Sequence, residues 1–137
     1  VSGTREVASG WFDALTGGDI ERALGYLDED VEWINYSPVP GFNDDMTWIG
    51  TCRGPVEVLE SFQTFVGVVN VGSESLVRLV VDGEEAMGVI HETGTVKETG
   101  LPFEIEFIQW LTIRDGKITR WKSYTDPSQI IRAIRAR

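Results

Sequence analysis

At Gly72 the hydrophobic period of this chain changes from about 3.6 residues to two, and the alternation then holds as far as Thr125. Four strands follow from it, over Glu74–Val81, Glu85–Lys97, Pro102–Arg114 and Lys117–Thr125. Turn dipeptides separate them at Asp82-Gly83, Thr99-Gly100 and Asp115-Gly116, and connections this short make consecutive strands antiparallel neighbours. Gly94, inside the second of these strands, reads as a bulge or bend that curls the sheet. A meander with one apolar face needs a layer to bury it, and the residues before Gly72 supply one.

Those residues have helical spacing. Val7, Ala8, Trp11, Phe12 and Leu15 mark a first helix over Thr4–Thr16, ended by Gly17-Gly18. Asp19 caps a shorter second helix with Ile20, Ala23, Leu24 and Leu27 on its stripe. Val31 to Tyr36 alternates as a strand, with Val31, Trp33 and Asn35 on one side. Residues Ser37 to Arg53 keep no period and read as a long loop. Phe42, Met46, Trp48 and Ile49 give that loop apolar bulk, so it is expected to cover a cavity mouth as a mobile lid. Pro55 opens a third helix. Near the end, Asp126-Pro127-Ser128-Gln129 combines a cap acid, a first-turn proline and a capping-box glutamine ahead of Ile130, Ile131 and Ile134, the apolar stripe of a last helix. With no linker, repeat or low-complexity tract, the chain reads as a single domain over residues 1–137. Its class is α+β: a cone-shaped, curved antiparallel sheet wrapped over the N-terminal helices and enclosing an apolar cavity.

Charge and rare residues then remove whole classes of function. Twenty-two acidic against 12 basic residues give a net charge of -10, so nucleic acid is not an expected partner. No apolar run reaches the ~20 residues that cross a bilayer, and no basic-then-apolar leader opens the sequence. Cys52, being alone, closes no internal disulfide; a cytoplasmic location is the expectation that results. One histidine and one cysteine leave no His/Cys zinc set, and neither a phosphate-cradling glycine loop nor a dinucleotide fingerprint is present. No metal and no cofactor are expected.

His91 is the one side chain whose ordinary pKa suits proton transfer near neutrality. Counting by two sets it on a face with Val89, Thr93 and Thr95, where it is either a proton carrier or a surface or hydrogen-bonded core histidine. Asn35 interrupts one apolar row, and Gln109 another that runs Phe103, Ile105, Phe107, Leu111 and Ile113. A buried amide needs its hydrogen bonds met by a ligand or a neighbour. Trp11, Trp33, Trp48 and Trp121 suit the wall of a pocket for a flat apolar ligand, or ordinary core. Ile108, Trp110 and Tyr124 have the opposite parity and form an outer patch expected to join a homodimer.

The order of these elements, together with several local strings, resembles the nuclear transport factor 2-like (NTF2-like, cystatin-like) superfamily in its SnoaL-like polyketide cyclase and ketosteroid-isomerase-like branch. The strings are Gly18-Asp19-Ile20-Glu21, Leu27 to Trp33, Cys52-Arg53-Gly54, Asp115-Gly116-Lys117-Ile118 and Trp121 to Pro127. The resemblance spans nearly the whole chain and implies an α+β barrel with a site inside the cone. The places that carry the catalytic tyrosine and two aspartates of ketosteroid isomerases fall on Trp11, Asn35 and near Gln109, which argues against that isomerisation. The Asp-Arg-Asp set of limonene-epoxide-hydrolase-like members falls on Thr93, Thr95 and Ser123, which argues against that route too, while the same alignment implies that the face shared by His91, Thr93 and Thr95 is the cavity side. The cyclases imply an acid near the end of the last strand, hence Asp126, although helix capping accounts for the same residue.

The expected function is therefore a cofactor-independent enzyme of cyclase, isomerase, lyase or hydrolase type. Its ligand is a small hydrophobic molecule bearing a carbonyl or hydroxyl. His91 and Asp126 are the catalytic candidates; Trp11, Trp33, Asn35, Trp48, Phe107, Gln109, Trp121 and Ser123 are the substrate-binding ones. The competing expectation, drawn from the loss of every familiar catalytic carboxylate, is a non-catalytic binding or scaffold protein of the same fold.

Overall fold

The computed structural model describes residues 3–136. The elements run α1 (Gly3–Thr16), α2 (Ile20–Leu24), β1 (Leu27–Asn35), β2 (Gly50–Arg53), α3 (Gly54–Val68), β3 (Val69–Asp82), β4 (Glu85–Val96), β5 (Pro102–Arg114), β6 (Lys117–Thr125) and α4 (Ser128–Arg135). All strands join one curved sheet in the order β2-β1-β6-β5-β4-β3. β2 and β3 remain as free edges, so the α+β architecture is as expected but the sheet is an open cone rather than a closed barrel. The β1–β6 pair is parallel, with Trp33 opposite Trp121 and Asn35 opposite Ser123; the other pairs are antiparallel.

Local chemistry sets these elements. The β5–β6 hairpin turns at Asp115 and Gly116, both at positive φ (51° and 77°), the mirror-image turn that matches strand twist. β2 lies inside the stretch expected to be loop. Four residues are too few to show a period, and the strand exists because it pairs with β1. β3 begins five residues earlier than the alternation suggests: its register shifts between Val71 and Ser73 and again between Leu76 and Arg78, and each shift inverts which residues face inward.

Gly94 lies beside a bulge without being its extra residue: its β3 partner Val71 is followed by the register shift to Ser73, so the inserted residue is in β3. β4 and β5 stay in register through Gly94 and Phe103, and a Cβ at Gly94 would lie 2.7 Å from Phe103 Cζ. Gly88 plays the same part farther along β4, where a Cβ would lie 2.2 Å from Phe12 Cζ. Both glycines admit aromatic rings onto the inner face of β4. That face carries Ala86, Gly88, Ile90, Glu92, Gly94 and Val96. The parity assigned from sequence is therefore reversed: His91, with Val89, Thr93 and Thr95, lies on the outer face.

α1 buries Ala8, Trp11, Phe12 and Leu15 against the inner side of the sheet. α4 closes the other end, packing Ile130, Ile131 and Ile134 with Val96 and Phe103. Gln129 forms no capping box; its Oε1 accepts from the Glu104 backbone N–H at 3.1 Å. The segment between β1 and β2 is tied down. Buried Asn43 accepts from Val39 N–H (2.7 Å) and donates to the Ser37 carbonyl (3.1 Å), and Arg135 on α4 pairs with Asp45 at 2.6 Å. Among the described residues no helix is long and apolar enough to cross a membrane.

Candidate functional site

The inner face of the sheet, α3 and the segment after β1 enclose a cavity of about 640 Å³. Trp33, Asn35, Trp48, Phe107, Gln109, Trp121 and Ser123 all line it, brought together from β1, β5, β6 and the covering segment. Strand register arranges them in rows. Trp33 and Trp121 are direct neighbours and stack with ring centroids 3.6 Å apart and planes 2° from parallel. Phe62 meets the Trp33 ring edge-on at 5.4 Å. One step along the strands, Asn35, Ser123 and Gln109 form a polar row across β1, β6 and β5, with Gly88 of β4 at its end.

Trp11 is not part of the wall. It is fully buried behind it, and its indole N–H donates to Gln109 Oε1 at 2.8 Å across 98 residues of sequence. An indole nitrogen only donates, so this contact fixes which end of the amide faces which way. The oxygen is turned to Trp11, and the NH2 group is left to the cavity with no acceptor among the described residues.

The acid that sequence reading missed is Glu92. It points inward from β4, opposite Glu74 of β3, and both line the cavity. Glu92 is only 2% exposed, and its Oε2 accepts from no donor among the described residues. Burial first, then the hydrogen bond and charge of the facing Glu74 carboxyl, raise its pKa far above the ordinary carboxylate range. Both causes favour the neutral carboxylic-acid form of Glu92 over its anion. The readable sign of this was the parity of Gly88 and Gly94, small residues that mark the packed face and share it with Glu92.

Tyr36 is a second lining residue that the sequence did not single out. Its backbone is left-handed (φ 60°), which swings the phenol onto the Thr125 carbonyl, to which it donates. Burial pushes the phenol up to about 12, so it stays neutral and its proton is already engaged.

The two residues first considered for catalysis lie elsewhere. On the outer face His91 Nε2 is 2.6 Å from Glu104 Oε2, with a third of its side chain exposed. Asp126 is exposed and accepts from Ser128 N–H (3.0 Å) and Oγ–H (2.5 Å), bonds that lower its pKa; it closes a turn just ahead of α4, whose N-cap is Pro127 and not the aspartate expected there. Among the described residues no three His, Cys, Asp or Glu side chains are grouped to hold a metal ion.

A family profile described as a SnoaL-like domain matches residues 8–121. The chain is similar in fold to an NTF2-like protein from Burkholderia thailandensis E264, at TM-score 0.84 and 21% identity, covering 95% of each chain. An NTF2-like protein from Burkholderia xenovorans LB400 is 27% identical at TM-score 0.75, covering 97% of this chain and 96% of the other. A third, from Mesorhizobium loti, is named as a candidate SnoaL-like polyketide cyclase; it is 21% identical at TM-score 0.73, covering 88% of this chain and 97% of its own. No curated protein matches the chain.

Proposed function

Since the chain belongs to the SnoaL-like domain family, we propose that it is a cofactor-independent acid–base enzyme acting on a small hydrophobic carbonyl compound inside the cone. The observation that carries this reading is the buried Glu92 carboxyl facing Glu74 on the cavity wall. A neutral acid beside a second carboxyl supplies both halves of a proton transfer. Glu92 donates its proton to the carbonyl oxygen as Glu74 takes one from the adjacent carbon. The C–H electron pair becomes the C=C bond of an enol, and the pair ends with one proton, as it began. Where the enol is conjugated with a further double bond, Glu74 returns its proton to the far carbon while Glu92 takes back the O–H proton, which isomerises the substrate; where the enol carbon instead attacks a second carbonyl, Glu92 takes back the O–H proton and Glu74 protonates the new alkoxide, which closes a ring. His91 and Asp126, the earlier candidates, have no part in this reading.

Proton exchange tests it without knowledge of the natural substrate. Incubated in D2O with 2-acetylnaphthalene, the protein should speed deuteration of the methyl group, followed by NMR. Glu92→Gln should lower that rate roughly 100-fold or more, the range for loss of a general acid or base. An unchanged rate in a folded variant overturns the assignment. The competing reading, a binding protein without turnover, is favoured by the short roster of ionisable lining groups, which are Tyr36, Glu74 and Glu92. It gains if the probe binds and no exchange occurs.

A further inference from the structure

The polar row and the acid pair are set apart along the inner face of the sheet, and that separation bears on the shape of the ligand. Gln109 pairs with Gly88, and Glu92 is four residues farther along β4. At about 3.3 Å per residue, with one strand spacing crossed, the two Cα atoms are about 14 Å apart. Ile105 and Phe107 cover the floor between them. Allowing about 3 Å for a hydrogen bond at each end leaves about 8 Å for the ligand itself.

The row is built to meet an acceptor. Gln109 is only 4% exposed, and Trp11 holds its oxygen, so the group offered to the cavity is the Nε2 donor. The Ser123 hydroxyl lies directly beside it on β6, buried and without a partner among the described residues. Asn35 follows on β1, its amide likewise unengaged. A ligand oxygen set against the Gln109 donor gains a hydrogen bond shielded from bulk water.

We propose that the ligand is an elongated, two-ended molecule of about the length of two fused rings, whose non-reacting end carries an acceptor oxygen held by Gln109, with Trp11 as the positioning residue that fixes the amide's polarity. This rests on the reading that chemistry occurs at the Glu92 end. An oxygen at the far end places the reacting carbonyl against Glu92, whereas a ligand with one oxygen can bind in either direction.

Calorimetric titration with 2,6-diacetylnaphthalene and 2-acetylnaphthalene tests this, since the two differ only in the second acceptor. The wild type should bind the diacetyl compound about tenfold more tightly, the worth of one added hydrogen bond. Gln109→Leu should bind the two equally. Gln109→Glu, which keeps an acceptor for Trp11 but presents oxygen to the cavity, should invert the preference. Trp11→Phe should shrink it about threefold with Gln109 still present, an effect that loss of stability alone does not produce in variants shown by circular dichroism to be folded. Equal binding of both probes to the wild type overturns the proposal, as does a tenfold preference surviving in Gln109→Leu or Gln109→Glu. Glu92→Gln separates this from the catalytic reading: it should weaken both probes alike and leave their ratio unchanged. A preserved preference without methyl exchange in the wild type means that the catalytic reading fails and the anchor stands; exchange without preference means the reverse.

Discussion

His91 and Glu92 are adjacent in sequence, and the sheet sends them to opposite worlds. His91 lies on the outer face, a third exposed, paired with Glu104 across one strand. Glu92 lies on the inner face, 2% exposed, against apolar residues and a second carboxyl. By ordinary pKa the histidine is the better proton carrier near neutrality and the glutamate is merely an anion. Burial reverses this: the glutamate is held neutral with a proton to give, while the histidine has a carboxylate partner, solvent, and no cavity. Chemistry in this fold is decided by the face of the strand more than by residue type.

The largest break between the two faces should be catalytic. Glu92→Gln is expected to lose roughly 100-fold or more in methyl exchange of 2-acetylnaphthalene, while His91→Gln stays within about twofold of wild type. A comparable loss from His91→Gln would mean that the outer face takes part.

Packing should differ next. Gly88→Ala drives a Cβ into the Phe12 ring and is expected to lower stability by about 1–3 kcal/mol in urea unfolding, whereas Thr93→Ala on the outer face should change it by about 0.5 kcal/mol or less. Equal effects would show that the two faces of β4 are packed alike.

The pH dependence of stability should follow. Because the folded-state pKa of Glu92 is raised, the native protein binds more protons than the unfolded chain above the ordinary value of 4.5. The stability this group provides is complete below that value and is lost as pH rises toward the folded pKa, by about 1.4 kcal/mol per pH unit where the native state alone is protonated. Glu92→Gln should therefore become progressively more stable than the wild type as pH rises, with the difference vanishing in acid. Thermal melts that run parallel at every pH would remove Glu92 from the acid pair.

The smallest expected effect concerns the outer face. Val80, Met87, Ile108 and Tyr124 expose apolar surface there, Arg120 lies 5.0 Å over the Trp110 ring, and the Trp110 indole donates to Glu85 at 2.9 Å. We propose that this patch joins two copies of the chain about a two-fold axis, which would bury these exposed apolar side chains. Arg120 already pairs with Glu32 of its own chain and Glu104 with His91, so apolar contact rather than cross-chain ion pairing carries the association. Light scattering should give a dimer at micromolar concentration and a monomer for Ile108→Glu. A monomeric wild type would contradict the proposal.

What was legible in the sequence follows the length of unbroken alternation. β5 alternates without interruption for its full length, so Gln109 stood out as the one polar residue on a wholly apolar row, and the structure places it in the cavity wall. β4 carries polar residues on both faces, and the deciding fact, that Gly88 and Gly94 receive Phe12 and Phe103, is a contact between distant segments. The same limit hid the Glu74–Glu92 pair, because register shifts on either side of Glu74 in β3 break the parity that would assign it to a face. Trp11 was readable as a helix residue facing inward, but its bond to Gln109 exists only once the sheet closes over α1. The covering segment was rightly given apolar bulk, and Met46 and Trp48 do line the cavity. Its ties through Asn43 and Arg135 join it to its own turn and to α4, contacts that local composition could not reveal.

The protonation state of Glu92 is the point on which the account turns. Infrared difference spectra between the wild type and Glu92→Gln, recorded across a pH series, isolate the carboxyl C=O stretch of this one residue. The account predicts a protonated-carboxyl band that persists at neutral pH and fades only under alkaline conditions. A band that disappears within the ordinary carboxylate range would show that Glu92 is an anion in the folded protein, and the proposed acid would have no proton to give.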